Sequence, residues 1–251
     1  MPVLRTESLS VSFGGIRALD RVDLSVVAGG VTGLIGPNGA GKTTFIDAVT
    51  GMVSTEGAVE LDGTDISGLT TAKRAELGLV RTFQTLELFE DLTVEENLAA
   101  AAVRIPWWQF VVDAIIPRRS GAPLPAVESA LELLGIAEDR KRLPADLSHG
   151  RRRLVGVARA LASGPRLLLL DEPAAGLDSA ESLALAERLR AVAETGVTVL
   201  LVDHDMGLVL GVCDEIHVLD FGSIIATGTP EEIRTDAAVV AAYLGRSAGT
   251  S

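Results

Sequence analysis

Cysteine is nearly missing from this chain. Cys213 is the one thiol among 251 residues, so no intrachain disulfide can form and a cysteine-rich metal site is excluded. A reducing compartment suits such a sequence. Positive charge is short as well: 22 Lys and Arg stand against 34 Asp and Glu, a formal net charge of −12, with a pI near 4.7. A surface that acidic repels polyphosphate, whereas a nucleic-acid binder gathers an excess of Lys and Arg on one face. Nucleic acid is therefore not expected as a partner. No eighteen apolar residues occur in succession, and the opening MPVLRTESLS lacks a charged segment followed by an apolar one, so neither a membrane span nor secretion is indicated. Internal repeats are lacking too, and the one low-complexity tract is the alanine run 99–102.

What is present is ample material for a core, with 47% hydrophobic residues. Apolar, β-rich runs bounded by turn residues recur at VLRTESLSVSF, RVDLSVV, VTGLI, GAVELDG, LGLVRTF, RLLLLDE, VTVLLVD, EIHVLD and SIIATG. VTGLI, RLLLLD and VTVLLVD are continuous rather than alternating, which suits strands buried on both faces of a parallel sheet under helices. Helical patterns lie between several of them. Thr93 with Glu96, and Thr229-Pro230 with Glu232, have the spacing of capping boxes. These signals predict an α/β core formed by 1–90 and 148–251. From 91 to 147 the strand signal disappears, and a helical subdomain inserted in that core is expected.

The segment GPNGAGKT, Gly36 to Thr43, fits G-x-x-x-x-G-K-[ST] and sits between the strand VTGLI and the helical TTFIDAVTG. Phosphate chemistry needs that order. Gly36, Gly39 and Gly41, with Pro37, Asn38 and Ala40 between them, let backbone N–H groups wrap a phosphate. The helix start at Thr43 and Thr44 adds a favourable dipole. Lys42 reaches the β- and γ-phosphates of a nucleotide, and the Thr43 hydroxyl ligates Mg²⁺. In RLLLLDEP a leucine-driven strand ends on Asp171, suited to hold Mg²⁺ directly or through water. Glu172 follows, a carboxylate able to orient or deprotonate an attacking water. Together these residues make an ATP-hydrolysing engine.

With those motifs in order, the chain resembles the ATP-binding-cassette (ABC) family over nearly its whole length. To the phosphate loop GPNGAGKTT and the LLLLDE strand it adds a glutamine loop at RTFQ, a signature LSHGR, an AGLD loop and a histidine in LLVDHD. The resemblance implies the P-loop ABC ATPase fold, with a mainly parallel core sheet, an antiparallel β subdomain and the inserted helical subdomain. It implies that Gln84 approaches Mg²⁺ and the attacking water, and that His204 reaches the γ-phosphate. Phe13, before Gly14-Gly15, matches the aromatic that stacks on adenine. Asp178 would sit at a dimer interface, although it also reads as a helix N-cap.

Ser148 and Gly150 open a helix that presents Leu154, Ala158 and Leu161 on one face. In the family, the signature serine and this helix start contact the γ-phosphate of ATP held by a partner subunit, so each cassette is incomplete without a second, identical or homologous. Arg151 stands where glutamine is usual, which adds a cation near that anion, and Arg152 and Arg153 read as a solvated face. LVRTFQTLELFEDLTVEENLAAA and the closing VDHDMGLVLGVCDEIHVLDFGSIIATGTPEEI…AYLG are similar to branched-chain amino-acid importers, a group whose members also include ATPases for urea and short amides. That resemblance implies transmembrane permease subunits as partners and a peripheral place on the cytoplasmic face of the inner membrane, with Trp107 and Trp108 able either to anchor a permease helix or to pack locally. The alternatives are a soluble single-cassette ATPase, for example an iron–sulfur assembly partner, and a nucleotide-dependent binding module without useful turnover.

Overall fold

A computed structural model describes residues 1–82, 88–102 and 125–247. Contacts divide the chain into two units, Met1–Gln84 with Arg166–Ser251, and Thr85–Pro165.

The first unit holds two sheets. Strands β1 (Pro2–Phe13), β2 (Ile16–Val27), β4 (Glu56–Leu61) and β5 (Thr64–Asp65) form an antiparallel sheet in the order β2-β1-β4-β5. The second sheet has the order β10-β9-β3-β8-β7-β6, built from β3 (Val31–Ile35), β6 (Leu79–Arg81), β7 (Leu167–Asp171), β8 (Thr198–Val202), β9 (Glu215–Asp220) and β10 (Ser223–Gly228). Its four pairings from β6 to β9 run parallel and only β10 is antiparallel, against β9. Every residue of β3, β7 and β8 is buried, as the continuous apolar runs require. Helix α1 (Lys42–Thr50) buries Phe45, Ile46, Ala48 and Val49 in a core that also takes Leu4, Leu9 and Leu19 from one sheet and Leu34, Leu169 and Leu200 from the other. Burying one such leucine contributes about 2 kcal/mol.

Strand β5 has no counterpart in the sequence reading because two residues carry no periodicity. Its turn was legible: Asp62 and Gly63 both take positive φ, 48° and 74°, as an Asp-Gly hairpin demands. Cys213 is buried, with its thiol pushed up to about 12 by burial, a poor nucleophile.

The second unit contains α3 (Val94–Ala102), α4 (Pro125–Leu133), two short 3₁₀ turns and α5 (His149–Ala162). Thr93 and Glu96 close the expected capping box: the Glu96 carboxylate accepts from Thr93 N–H at 2.8 Å, and Thr93 Oγ1 accepts from Glu96 N–H at 3.3 Å. Asn97 is fully buried, and its amide donates to the carbonyls of Phe89, Leu92 and Thr93, closing the loop before the helix. Helix α5 packs on α3 and α4. The signature helix α5 thus groups by its contacts with α3 and α4 in this second unit. Among the described residues no helix is long and apolar enough to cross a membrane.

His217 joins the two sheets of the first unit. Its Nε2 lies 3.2 Å from the carbonyl of Ser25 on β2, and its Nδ1 lies 2.9 Å from Thr227 Oγ1 on β10. A carbonyl can only accept, so Nε2 carries the proton and Nδ1 accepts from the threonine hydroxyl, which describes a neutral ring. Burial pushes its pKa down, against the pull of Glu215 and the Ser25 carbonyl. A proton then enters the unfolded chain near 6.5 but the folded one only at lower pH, so this stability is complete above 6.5 and lost as pH falls. The thermal unfolding midpoint should drop on acidification below 6.5, with a shallower slope in His217→Gln. An unchanged slope in the variant would refute this linkage.

Candidate functional site

Strand β3 delivers the chain directly into the phosphate loop. Gly36 is required there by close approach: a Cβ at that position would lie 2.0 Å from the carbonyl oxygen of Leu219 on β9. Ala40 N–H donates to Pro37 O at 3.1 Å, and Phe45 N–H to Gly41 O at 2.8 Å, so the turn passes straight into α1 with Gly41 as its N-cap at φ 110°. Pro37 and Ala40 are buried, while Asn38 and Gly39 face solvent. The buried Lys42 ammonium donates to Gly36 O at 2.7 Å and Pro37 O at 3.3 Å. Thr43 is exposed and Thr44 half-buried at the helix start.

Asp171 ends β7 and is 2% exposed. Its Oδ2 accepts from Arg81 at 2.9 Å, and Arg81 also bonds Asp47 on α1. The other oxygen, Oδ1, is buried and accepts no hydrogen bond. Burial pushes this carboxyl upward while Arg81 pulls it down. Glu172 follows with φ 47°, pinned by a 2.7 Å bond from its N–H to Val202 O on β8. His204 leaves β8 at the same level, with Nδ1 3.8 Å from Glu172 Oε1. Asp203, fully buried between them in sequence, accepts from the N–H groups of Ala174, His204 and Asp205 and so ties the two loops together. Neither Arg81 nor Asp203 was singled out from sequence. The signal for Asp203 was a second carboxylate in VDHD, at a strand end crowded with N–H groups.

Of these residues, Lys42, Thr43, Thr44 and Glu172 line a cleft of about 570 Å³, which Ile16, Arg17 and Phe221 line as well. Phe13 lies at the tip of the β1–β2 hairpin, paired with Ile16 and half-exposed; the cleft wall carries Ile16 and Phe221 in its place. Gln84, Trp107 and Trp108 lie outside the described residues. The donor set fits Mg²⁺, a hard cation that takes oxygen ligands: the buried Oδ1 of Asp171 has its hydrogen-bonding capacity unfilled, and Thr43 supplies a hydroxyl on the cleft wall.

In the helical unit, the exposed Ser148 caps α5, its Oγ accepting from Arg151 N–H at 3.3 Å, with Gly150 buried at the second helical position. The arginines depart from expectation. Arg151 turns to the insert itself and bonds Glu138 at 2.6 Å, Asp139 at 2.8 Å and Gly135 O at 3.2 Å. Its charge is neutralised locally instead of adding a cation at the helix start. Arg152 is not a solvated side chain but pairs with Glu90 through both nitrogens. Asp178 is the N-cap of α6 (Ser179–Glu194), accepting from Ala180 and Glu181 N–H at 2.9 and 2.8 Å, and Glu181 returns the bond.

A glycine-lined loop between a buried parallel strand and a helix, with an acidic strand end beside it, defines a phosphate-loop nucleotide-binding protein. Comparison with known proteins narrows the class. Residues 19–175 match the family model for the ABC transporter, and residues 223–249 match that for the branched-chain amino acid ATP-binding cassette transporter. The chain is 41% identical to the high-affinity branched-chain amino acid transport ATP-binding protein BraF of Pseudomonas aeruginosa, across 98% of this chain and 99% of that one. It is 38% identical, over the same shares, to LivG of Escherichia coli, a protein described in the same terms. Among solved structures it resembles an ATP-binding cassette of an ABC transporter in its ADP conformation, with TM-score 0.85 and 32% identity over 98% of this chain and 99% of that one. The chain belongs to the ABC transporter family, as an ATP-binding and ATP-hydrolysing subunit.

Asp139 is 2% exposed and is held between Arg142 and Arg151. Arg151→Gln, which installs the family's usual residue, removes one of those partners from a buried carboxylate. It should lower unfolding stability by about 1–3 kcal/mol in a denaturant titration. A loss within experimental error would show that the pair holds nothing.

Proposed function

We propose that this chain powers import of branched-chain amino acids, working with a second ATPase subunit on permease subunits at the cytoplasmic face of the inner membrane. The observation that carries the substrate class is the match at 223–249, because those residues lie beyond the phosphate loop that every ATPase of this family shares. Whole-length likeness to BraF and LivG supports the same reading.

In this reading the phosphates of ATP lie on the loop Gly36 to Thr44, and Lys42 exchanges its own loop carbonyls for the β- and γ-phosphate oxygens. Thr43, Gln84 and Asp171 would hold Mg²⁺, which when bound neutralises the phosphate oxygens. Glu172 orients and deprotonates the attacking water, its backbone strain keeping the carboxylate at the strand end. His204, close enough to Glu172 to share the reacting region, donates an N–H to the γ-phosphate as charge develops. Phe13 stacks on adenine. Ser148, Gly150 and the N–H groups opening α5 bind the γ-phosphate of the partner subunit's ATP, and Asp178 faces that interface while capping α6. Two ATP molecules thereby link two subunits, and hydrolysis separates them.

Glu172→Gln should slow steady-state hydrolysis by roughly a hundredfold or more while retaining ATP and a dimer in size-exclusion chromatography. Adding Ser148→Arg should abolish that dimer yet leave ATP binding by each chain intact. Full turnover in the first variant would remove Glu172 as the base, and a persisting dimer in the second would defeat the shared-site reading. The transport assignment is tested by co-expression with candidate permease subunits. Stable co-purification, and ATPase stimulation by leucine with its external binding protein in vesicles, is expected; a chain that purifies only in soluble complexes would overturn it.

A further inference from the structure

Of the residues that follow β8, the reaction as described uses His204 and leaves Asp203 and Asp205 without a part. Asp203 is fully buried, and a carboxylate so placed must take hydrogen bonds from its surroundings. It takes them from two loops. Oδ1 accepts from the N–H of His204 at 2.7 Å and of Asp205 at 3.0 Å, while Oδ2 accepts from the N–H of Ala174 at 3.1 Å. Ala174 stands two residues beyond Glu172, whose own N–H is bonded to Val202 O. The segment carrying Glu172 is therefore fastened at two points, Val202 O and Asp203 Oδ2, to the chain that leads into His204.

The far end of the same loop is fastened as well. Asp205 caps α7 (Met206–Val212), its Oδ1 accepting from Gly207 and Leu208 N–H, and its Oδ2 accepts from Ser182 Oγ in the first turn of α6 at 2.9 Å. His204 is thus flanked in sequence by two carboxylates, one bonded just after Glu172 and the other just after Asp178.

The registered pairing of β7 with β8 ends at Asp171 and Val202, before either Glu172 or His204 is reached. Beyond that level the Asp203 carboxylate carries the connection from one loop to the other. Its two oxygens belong to one planar group, so a shift of either loop is passed to its neighbour. We propose that Asp203 is a positioning residue for hydrolysis: with one oxygen on the N–H of Ala174 and the other on that of His204, it sets the separation of the Glu172 carboxylate from the His204 imidazole, which is 3.8 Å here. Asp203 acts only through those two side chains, and its role rests on the reading in which both serve bound ATP. Misplacing a reacting group by about 1 Å costs up to roughly a hundredfold in rate, which is the loss this bridge prevents.

Asp203→Asn keeps the shape of the side chain but exchanges one oxygen for an NH₂ group, which cannot accept, so one of the two loops loses its bond. In the full chain this variant should lower kcat about tenfold while KM and ATP affinity, measured by equilibrium dialysis, stay within about twofold. In a His204→Ala background the same change should cost less than about twofold, because no imidazole remains to be aligned. An equal factor in both backgrounds would overturn the proposal, since a general loosening of the fold does not depend on His204. Unchanged kcat in Asp203→Asn would overturn it too. Amide hydrogen exchange on the unmodified chain is a test that needs no variant to fold: the N–H groups of Ala174 and His204 should show protection factors within about threefold of each other, because one carboxylate holds both. An Ala174 N–H that exchanges at the unprotected rate would overturn the proposal. Full turnover in His204→Ala alone would instead remove the histidine from the reaction and sink the reading on which the role of Asp203 rests.

Discussion

The chemistry of the first unit depends on one constraint, the parallel register of β3, β8 and β7. Leu34 is level with Val202, and Val202 with Asp171, so three strands end together at one edge of the sheet. Whatever follows each strand must emerge there. After β3 comes the phosphate loop, after β7 Glu172, and after β8 Asp203 and His204. In sequence these groups are more than a hundred residues apart at the extreme, yet a shift of one residue in either pairing would turn each onto the opposite face. Parallel strands also need crossovers, which is why helices separate them and why the carboxyl edge is left open for a ligand.

Much of this was legible because it is local. A strand buried on both faces writes a continuous apolar run, and β3, β7 and β8 were read from theirs. Capping boxes are local too: Thr93 with Glu96 and Thr229 with Glu232 each close within four residues. Ser148 as an N-cap follows the same logic. The phosphate loop was recognisable because glycine spacing and the flanking strand and helix form one short unit.

What was not legible is long-range pairing. Nothing near Arg151 in sequence says that its guanidinium will reach Glu138 and Asp139, a turn that precedes the signature helix and folds back on it. The same holds for Arg152 and Glu90, 62 residues apart. A run of arginines on a helix is usually solvated, and here acidic partners from elsewhere in the unit override that expectation. Strand signals end near 90, but the helices that pack together, α3, α4 and α5, extend to 162.

Charge shows most clearly how composition and site differ. The net charge of −12 belongs to the surface, whereas the Lys42 cation is buried on the cleft wall and the Arg81 guanidinium is nearly buried against Asp171. Arg81 suits its place because a guanidinium fork can divide its nitrogens between two carboxylates, Asp47 through Nη1 and Asp171 through Nη2. Burying any one of these charges alone would be strongly unfavourable, and the triad offsets that cost by pairing each of them. The pairing is asymmetric, however. It commits one oxygen of Asp171 to the protein and leaves the other without a hydrogen bond, so the carboxylate is held in orientation by one side only. An acidic surface and an interior that holds cations are therefore compatible, since Lys42 and Arg81 are charges that the surface hardly exposes.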